Sequence, residues 1–161
     1  MNWCRAPRVS RSFINPTNPV PASATGQHIE VFNAATSQEI ETAFAALVQN
    51  RAHAVVVGAD PFFIDRRVQI VILAARHLLP TIYFLRGFVE IGGLMSYGAS
   101  DLSRYREVGV YTGRVLKGEK PAEMPVAQPT KFELLINLPT ARAIGIVVPQ
   151  SLLAQADEVI E

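Results

Sequence analysis

AVVVGADPFFIDRRVQIVILAARHLLPTIYF, residues 54–84, is the stretch whose reading decides the fold. Ala54-Val55-Val56-Val57 is a short, continuous apolar run of β-branched character closed by Gly58, the pattern of a strand covered on both faces in a parallel sheet. Asp60-Pro61 then opens a helix, with aspartate at the N-cap and proline at the first helical position. Ile64, Val68, Val71, Ile72, Ala75 and Leu78 supply the expected apolar face of that helix, and Pro80 ends it. Thr81-Ile82-Tyr83-Phe84 is the next strand. Two strands joined through a helix demand a crossover, which makes them parallel and the crossover right-handed.

The same grammar extends outward. Upstream, Ile29-Glu30-Val31-Phe32 reads as a strand, and Thr36 with Glu39 forms a capping box ahead of a helix. Ile40, Ala43, Phe44, Leu47 and Val48 recur on one helical face and are expected to be its buried stripe. Downstream of Gly92-Gly93, the strand Leu94-Met95-Ser96-Tyr97 leads through Gly98 into a helix from about Asp101 to Leu116. Gly118 stands where a helix C-cap glycine belongs, with Pro121 beyond it. A strand over Phe132 to Ile136 follows, then a short helix opened by Pro139-Thr140. A last helix is expected from Pro149, burying Leu152, Leu153, Ala156 and Val159. The class is α/β, a parallel doubly wound (Rossmann-like) sheet. Residues 1–27 read as an irregular leader, because the run Asn15-Pro16-Thr17-Asn18-Pro19-Val20-Pro21 forbids helix.

Composition narrows the partners. The chain has 161 residues, 49% of them hydrophobic and 18% charged, with a mean hydropathy of +0.20. That is a chain able to bury a core, and not a disordered one. The net charge of +1 leaves no electrostatic footprint for nucleic acid. Cys4 is the single cysteine, so neither a disulfide within the chain nor a Cys-x-x-C site is expected. The first twelve residues carry no apolar stretch of signal-peptide type, and no segment reaches the ~18 apolar residues of a membrane span.

Open parallel sheets bind ligands at the carboxyl ends of their strands, where loops and helix N-termini expose N–H donors. Here those ends carry Asn33, then Gly58-Ala59-Asp60, then Leu85-Arg86. On such a rim a zwitterion such as an amino acid would place its carboxylate on Arg86 and its ammonium on Asp60. Pro61 and Phe62 adjoin Asp60, and Ser96 and Tyr97 end the fourth strand. Each has a plainer reading: Asp60 as a cap, Phe62 and Phe63 as core, Arg86 as a solvated loop cation, Ser96-Tyr97-Gly98 as a strand end. No catalytic motif is found: there is no G-x-G-x-x-G, Walker A or G-x-S-x-G sequence, and His28, His53 and His77 lack metal-site spacing. No cofactor, metal or catalytic residue is therefore expected. An Asp60 phosphoacceptor of receiver type is disfavoured by the proline after it.

The combination of GADPFF (58–63), GGLMSYG (92–98), VLKGEKPAEMPV (115–126) and the ending ADEVIE (156–161) resembles the ABC-transporter substrate-binding proteins. More closely, it resembles those of periplasmic-binding-protein type I fold, TrpX-like receptors among them, and specifically their C-terminal half. The resemblance runs over nearly all of residues 29–161. It implies a two-lobed, non-enzymatic receptor that closes over a small organic solute and delivers it to an ABC permease. It implies a division into residues 28–98 as a second lobe and 99–161 as elements resembling the first, with Asp60 and its neighbours lining the cleft and Ser96 to Gly98 near the hinge. It also implies a periplasmic location, although a signal peptide, a first lobe and a helix between NPTNP and IEVFN are not seen in this sequence. Loss of one lobe would expose apolar surface and favour a homodimer. A cytoplasmic ligand-sensing or interaction module of the same fold is the alternative.

Overall fold

A computed structural model describes residues 9–14 and 28–161. Seven strands form one sheet: β1 (Val9–Ile14), β2 (His28–Asn33), β3 (Ala54–Val57), β4 (Thr81–Tyr83), β5 (Met95–Ala99), β6 (Phe132–Asn137) and β7 (Glu158–Ile160). Their order is β2-β1-β3-β4-β5-β6-β7. β1 to β5 run parallel, and the decisive pair is in register at Val55 opposite Thr81 and Val56 opposite Ile82. β6 is antiparallel to β5, and β7 is parallel to β6.

Among the described residues, seven α-helices accompany the strands: α1 (Ser37–Gln49), α2 (Pro61–Asp65), α3 (Arg67–Arg76), α4 (Arg86–Glu90), α5 (Asp101–Leu116), α6 (Leu138–Ala143) and α7 (Gln150–Leu153). α1 starts as its capping box dictates. The Glu39 N–H donates to Thr36 Oγ1 at 3.2 Å, and the Glu39 carboxylate accepts from the Ala35 N–H at 2.7 Å. A cap of this kind stabilises a helix by about 1 kcal/mol. α5 ends in a Schellman turn, with Gly118 at φ 94° and N–H bonds from Gly118 to Val115 and from Glu119 to Arg114.

Two apolar clusters cover the two sheet faces. Ile40, Phe44, Leu47, Val55, Val57, Phe63, Ile70, Tyr83 and Phe88 form the larger, and Leu94, Met95, Ile136, Ala141 and Val148 the smaller. The strand register puts Val31, Val56, Ile82, Met95, Ile136 and Val159 in one row on the smaller cluster's face. That row is buried at Met95 and Ile136 beneath α6 and α7, and open at Val31 and Val56. Among the described residues, the second face is thus covered at one end of the sheet.

Several expectations change. Val9–Ile14, assigned to the leader, is a strand between β2 and β3; the proline rule acts on residues 15–21 and says nothing of Val9-Ser10-Arg11-Ser12-Phe13-Ile14. The remainder of the expected leader, with Cys4, lies outside the described residues. The helix expected after Asp60 is two helices, parted at Arg66 (φ −99°, ψ 12°). The break rotates the buried face, so Ile70, Val71 and Ala74 point inward while Val68, Ile72 and Leu78 are more than half exposed. Val48 likewise lies outside the α1 stripe and is exposed. The final helix stops at Leu153, and Val159 sits in β7. Across the expected boundary at residues 98 and 99, β5 pairs with β6 from Met95–Ile136 to Ala99–Phe132. β6 and β7 therefore belong to the same sheet as β2 to β5, and the 100–131 segment is an excursion between β5 and β6.

Candidate functional site

Parallel β1 to β5 point their carboxyl ends to one edge of the sheet, and the reversed β6 brings its first residues to that same edge. Asn33 ends β2 and is exposed. β1 separates it from β3, after which come Asp60, Pro61 and Phe62. Asp60 is 8% exposed and caps α2, its Oδ1 accepting from the Phe62 N–H at 2.8 Å. Pro61 is exposed at the first helical position, as expected of a ring without an N–H. Phe62 is half-buried, tilted at 54° against the buried Phe63, with the Arg66 guanidinium 5.9 Å from its ring centre. Asp60, Pro61 and Phe62 thus stand together, beside but one strand away from Arg86.

Arg86 is the first residue of α4, a helix the sequence reading leaves as loop. Its Nε donates to Glu90 at 2.7 Å and its Nη2 to Glu158 at 3.1 Å, while Glu133 lies 3.8 Å from Nη1. These partners, Glu90 first, hold the guanidinium more firmly in its charged form than usual. The fork is already occupied by carboxylates of its own chain, and its geometry fits a strut joining β4, β6 and β7.

Ser96 and Tyr97 alternate along β5, as a strand requires. Ser96 is 1% exposed, whereas Tyr97 is 55% exposed and stacks on Phe132 with ring centres 5.7 Å apart. Next to them, a Cβ on Gly98 would lie 2.0 Å from the Phe84 carbonyl oxygen, so the β5 backbone passes β4 at a distance only glycine permits. The rim also gathers residues the sequence reading did not single out: Glu133, Glu158 and Asp101. Their signal was out of reach in sequence, since it depends on β6 running backwards and on residues 158–160 being a strand. Among the described residues, no group of three or more His, Cys, Asp or Glu side chains is placed to hold a metal ion.

A larger concavity of about 720 Å³ lies off the sheet, between α5 and the 121–129 segment, with Val108, Tyr111, Val115, Met124 and Val126 among its walls. No expected site residue borders it. α5 has no buried residue, and Leu102, Tyr105, Val108, Val110 and Leu116 all stand exposed along it. The segment folds on itself through the Tyr111 hydroxyl, which donates to the Pro125 carbonyl at 2.6 Å, and through an Arg114–Glu119 ion pair. Apolar walls and distance from the strand ends suit this concavity to packing rather than to orienting a polar solute.

The family model described as ABC transporter substrate binding protein matches residues 20–160. Comparison with curated proteins gave no match. Several solved structures share the fold. One is the ABC domain in complex with L-Trp from Streptococcus pneumoniae, with a TM-score of 0.84 and 23% identity over 95% of this chain and 56% of that one. A conserved domain protein from Vibrio cholerae aligns at a TM-score of 0.81 and 20% identity, covering 94% and 54%. The ligand-free, open structure of CD0873, a substrate binding protein with adhesive properties from Clostridium difficile, aligns at 0.65 and 21%, covering 95% and 54%. The chain spans about half the length of these structures.

Proposed function

Because the chain belongs to the ABC transporter substrate-binding protein family, we propose that it binds a small organic solute, of amino-acid size and kind, along the carboxyl edge of its sheet. The observation that carries this reading is the convergence on that one edge of the β3–α2 loop, the β4–α4 junction and the β5 end with its buried Ser96. The structural neighbour with L-Trp supports an amino acid as the solute class. On this reading Asn33, Asp60, Pro61, Phe62, Ser96 and Tyr97 face the solute, and Arg86 braces the rim through its carboxylates.

The 100–131 segment then has a role as well. It leaves and rejoins the sheet at one point, where the Ser100 N–H donates to the Lys131 carbonyl at 3.0 Å. Among the described residues, its helix has no buried side chain. We read it as the part that packs on the other half of a two-lobed receptor, with the β5–β6 pair as the hinge; where no such half is present, a second copy of the chain is the surface available to it. Transport through an ABC permease, a location outside the cytoplasmic membrane and the lack of any catalytic step follow from family membership as parts of the same proposal.

Titration calorimetry against the twenty amino acids tests it. The expected result is saturable binding of at least one, with a matching rise in melting temperature. A ligand at 100 times its Kd stabilises the folded state by about 2.7 kcal/mol. Heat without saturation for every amino acid contradicts the reading.

A further inference from the structure

Between β4, β5 and β6 the rim dips into a recess of about 10 Å³, bordered by Phe84, Arg86, Ser96, Gly98, Asp101 and Glu133. That is room for one water-sized group, and a primary ammonium head is such a group. Its walls do not offer cations and anions equally. Arg86 gives its two hydrogen bonds to Glu90 and Glu158, and Asp101 is paired with Arg104.

Glu133 is held much more loosely. Its nearest cations are Lys131 Nζ at 3.6 Å and Arg86 Nη1 at 3.8 Å, and among the described residues it accepts no hydrogen bond. Its side chain is only 17% exposed, so water supplies few of the missing bonds. Ser96, 1% exposed, borders the same recess, and among the described residues its hydroxyl makes no hydrogen bond. A half-buried carboxylate and the hydroxyl of a buried serine, both with open acceptor sites and both bordering one small space, suit a donor. Around them stand four carboxylates (Glu90, Asp101, Glu133, Glu158) against three cations (Arg86, Arg104, Lys131). An anionic group entering there meets net repulsion.

Resting on the solute-binding reading above, we infer that this recess is an ammonium subsite, in which Glu133 is the counter-ion and Ser96 Oγ a second acceptor for a primary amine on the solute. It reverses the polarity expected from sequence, which set a carboxylate on Arg86. The solutes it selects are amines and amino acids, and the solutes it rejects are acids that lack the amine.

The test measures binding to the full chain of three matched sets: the twenty amino acids, the primary amines that lack their carboxylate, and the acids that lack their amine. The amino acid that binds best and its decarboxylated amine both bind, and its deaminated acid binds at least tenfold more weakly. In Glu133→Gln the amino acid loses at least tenfold and Ser96→Ala loses a smaller factor, with circular dichroism spectra unchanged in both. Lys131→Gln, which removes a competing cation, tightens the amine two- to threefold, an increase that a merely structural role for the cluster would not produce. Equal binding of amino acid and deaminated acid, or an unaltered amino-acid affinity in Glu133→Gln, overturns the subsite and leaves the solute-binding reading standing. No saturable binding in any set overturns both.

Discussion

Tyr83 shows how closely the larger core is filled. Its ring stacks on Phe88 with centres 4.7 Å apart, and its hydroxyl, fully buried, finds no hydrogen-bond partner among the described residues. The nearby Thr81 hydroxyl donates instead to the Leu79 carbonyl at 3.0 Å. Burial pushes the phenol far above its ordinary range, with the nearby Thr81 acting in the opposite direction. In the unfolded chain the same tyrosine ionises near pH ~10. Above that pH the unfolded state gives up a proton that the folded state retains, so stability falls as pH rises from ~10 upward and is unaffected below it. Tyr83→Phe is expected to gain about 1 kcal/mol at neutral pH by removing the unpaired hydroxyl, and to flatten that alkaline loss. Urea unfolding at pH 7 and pH 10.5 measures both; a loss of stability at pH 7 would show that the hydroxyl is bonded after all. At this scale the sequence was partly legible. Asp60 as a cap and Thr36 with Glu39 as a capping box depend on near neighbours, and both are present. Arg86 and Glu133 depend on residues 72 and 47 positions away respectively, and no local pattern announces such partners.

Elements follow the same division. α1, β3 and α5 match their sequence signals nearly to the residue, because the periodicity, caps and terminating glycines that define them are local. β1 and β7 carry no local signal, because the status of each strand rests on the neighbour that pairs with it. The α3 face differs from the one that an unbroken helix would bury because a single residue, Arg66, leaves helical geometry and turns everything after it. Where β5 passes β4, Gly98 is the element-scale determinant. A methyl group there meets backbone rather than a flexible side chain. Gly98→Ala is therefore expected to destabilise by about 1–3 kcal/mol, as overpacking does, and to displace the β5–β6 pair that carries the 100–131 segment. Chemical denaturation reads the first effect. An unchanged midpoint would mean that β4 and β5 part readily at this position.

For the molecule as a whole, two surfaces left uncovered among the described residues carry the proposed function. One is the α5 face, apolar and unsupported by the sheet; the other is the carboxyl edge, polar, charged and lined by strand ends. Family membership and a span of about half of the matched structures fit a module whose edge becomes one wall of a cleft and whose α5 segment reaches across it. Fold class could be argued from residues 54–84 alone. The continuity of the sheet through β6 and β7 could not, because an antiparallel return after a thirty-residue excursion leaves no periodic trace. The central claim is that a solute is gripped where the parallel strands end. Hydrogen exchange with and without a saturating amino-acid mixture measures this most directly. Slowed exchange confined to the amides of residues 58–62, 84–87 and 96–101 is the predicted result, and protection confined to residues 104–129, or found nowhere, contradicts it.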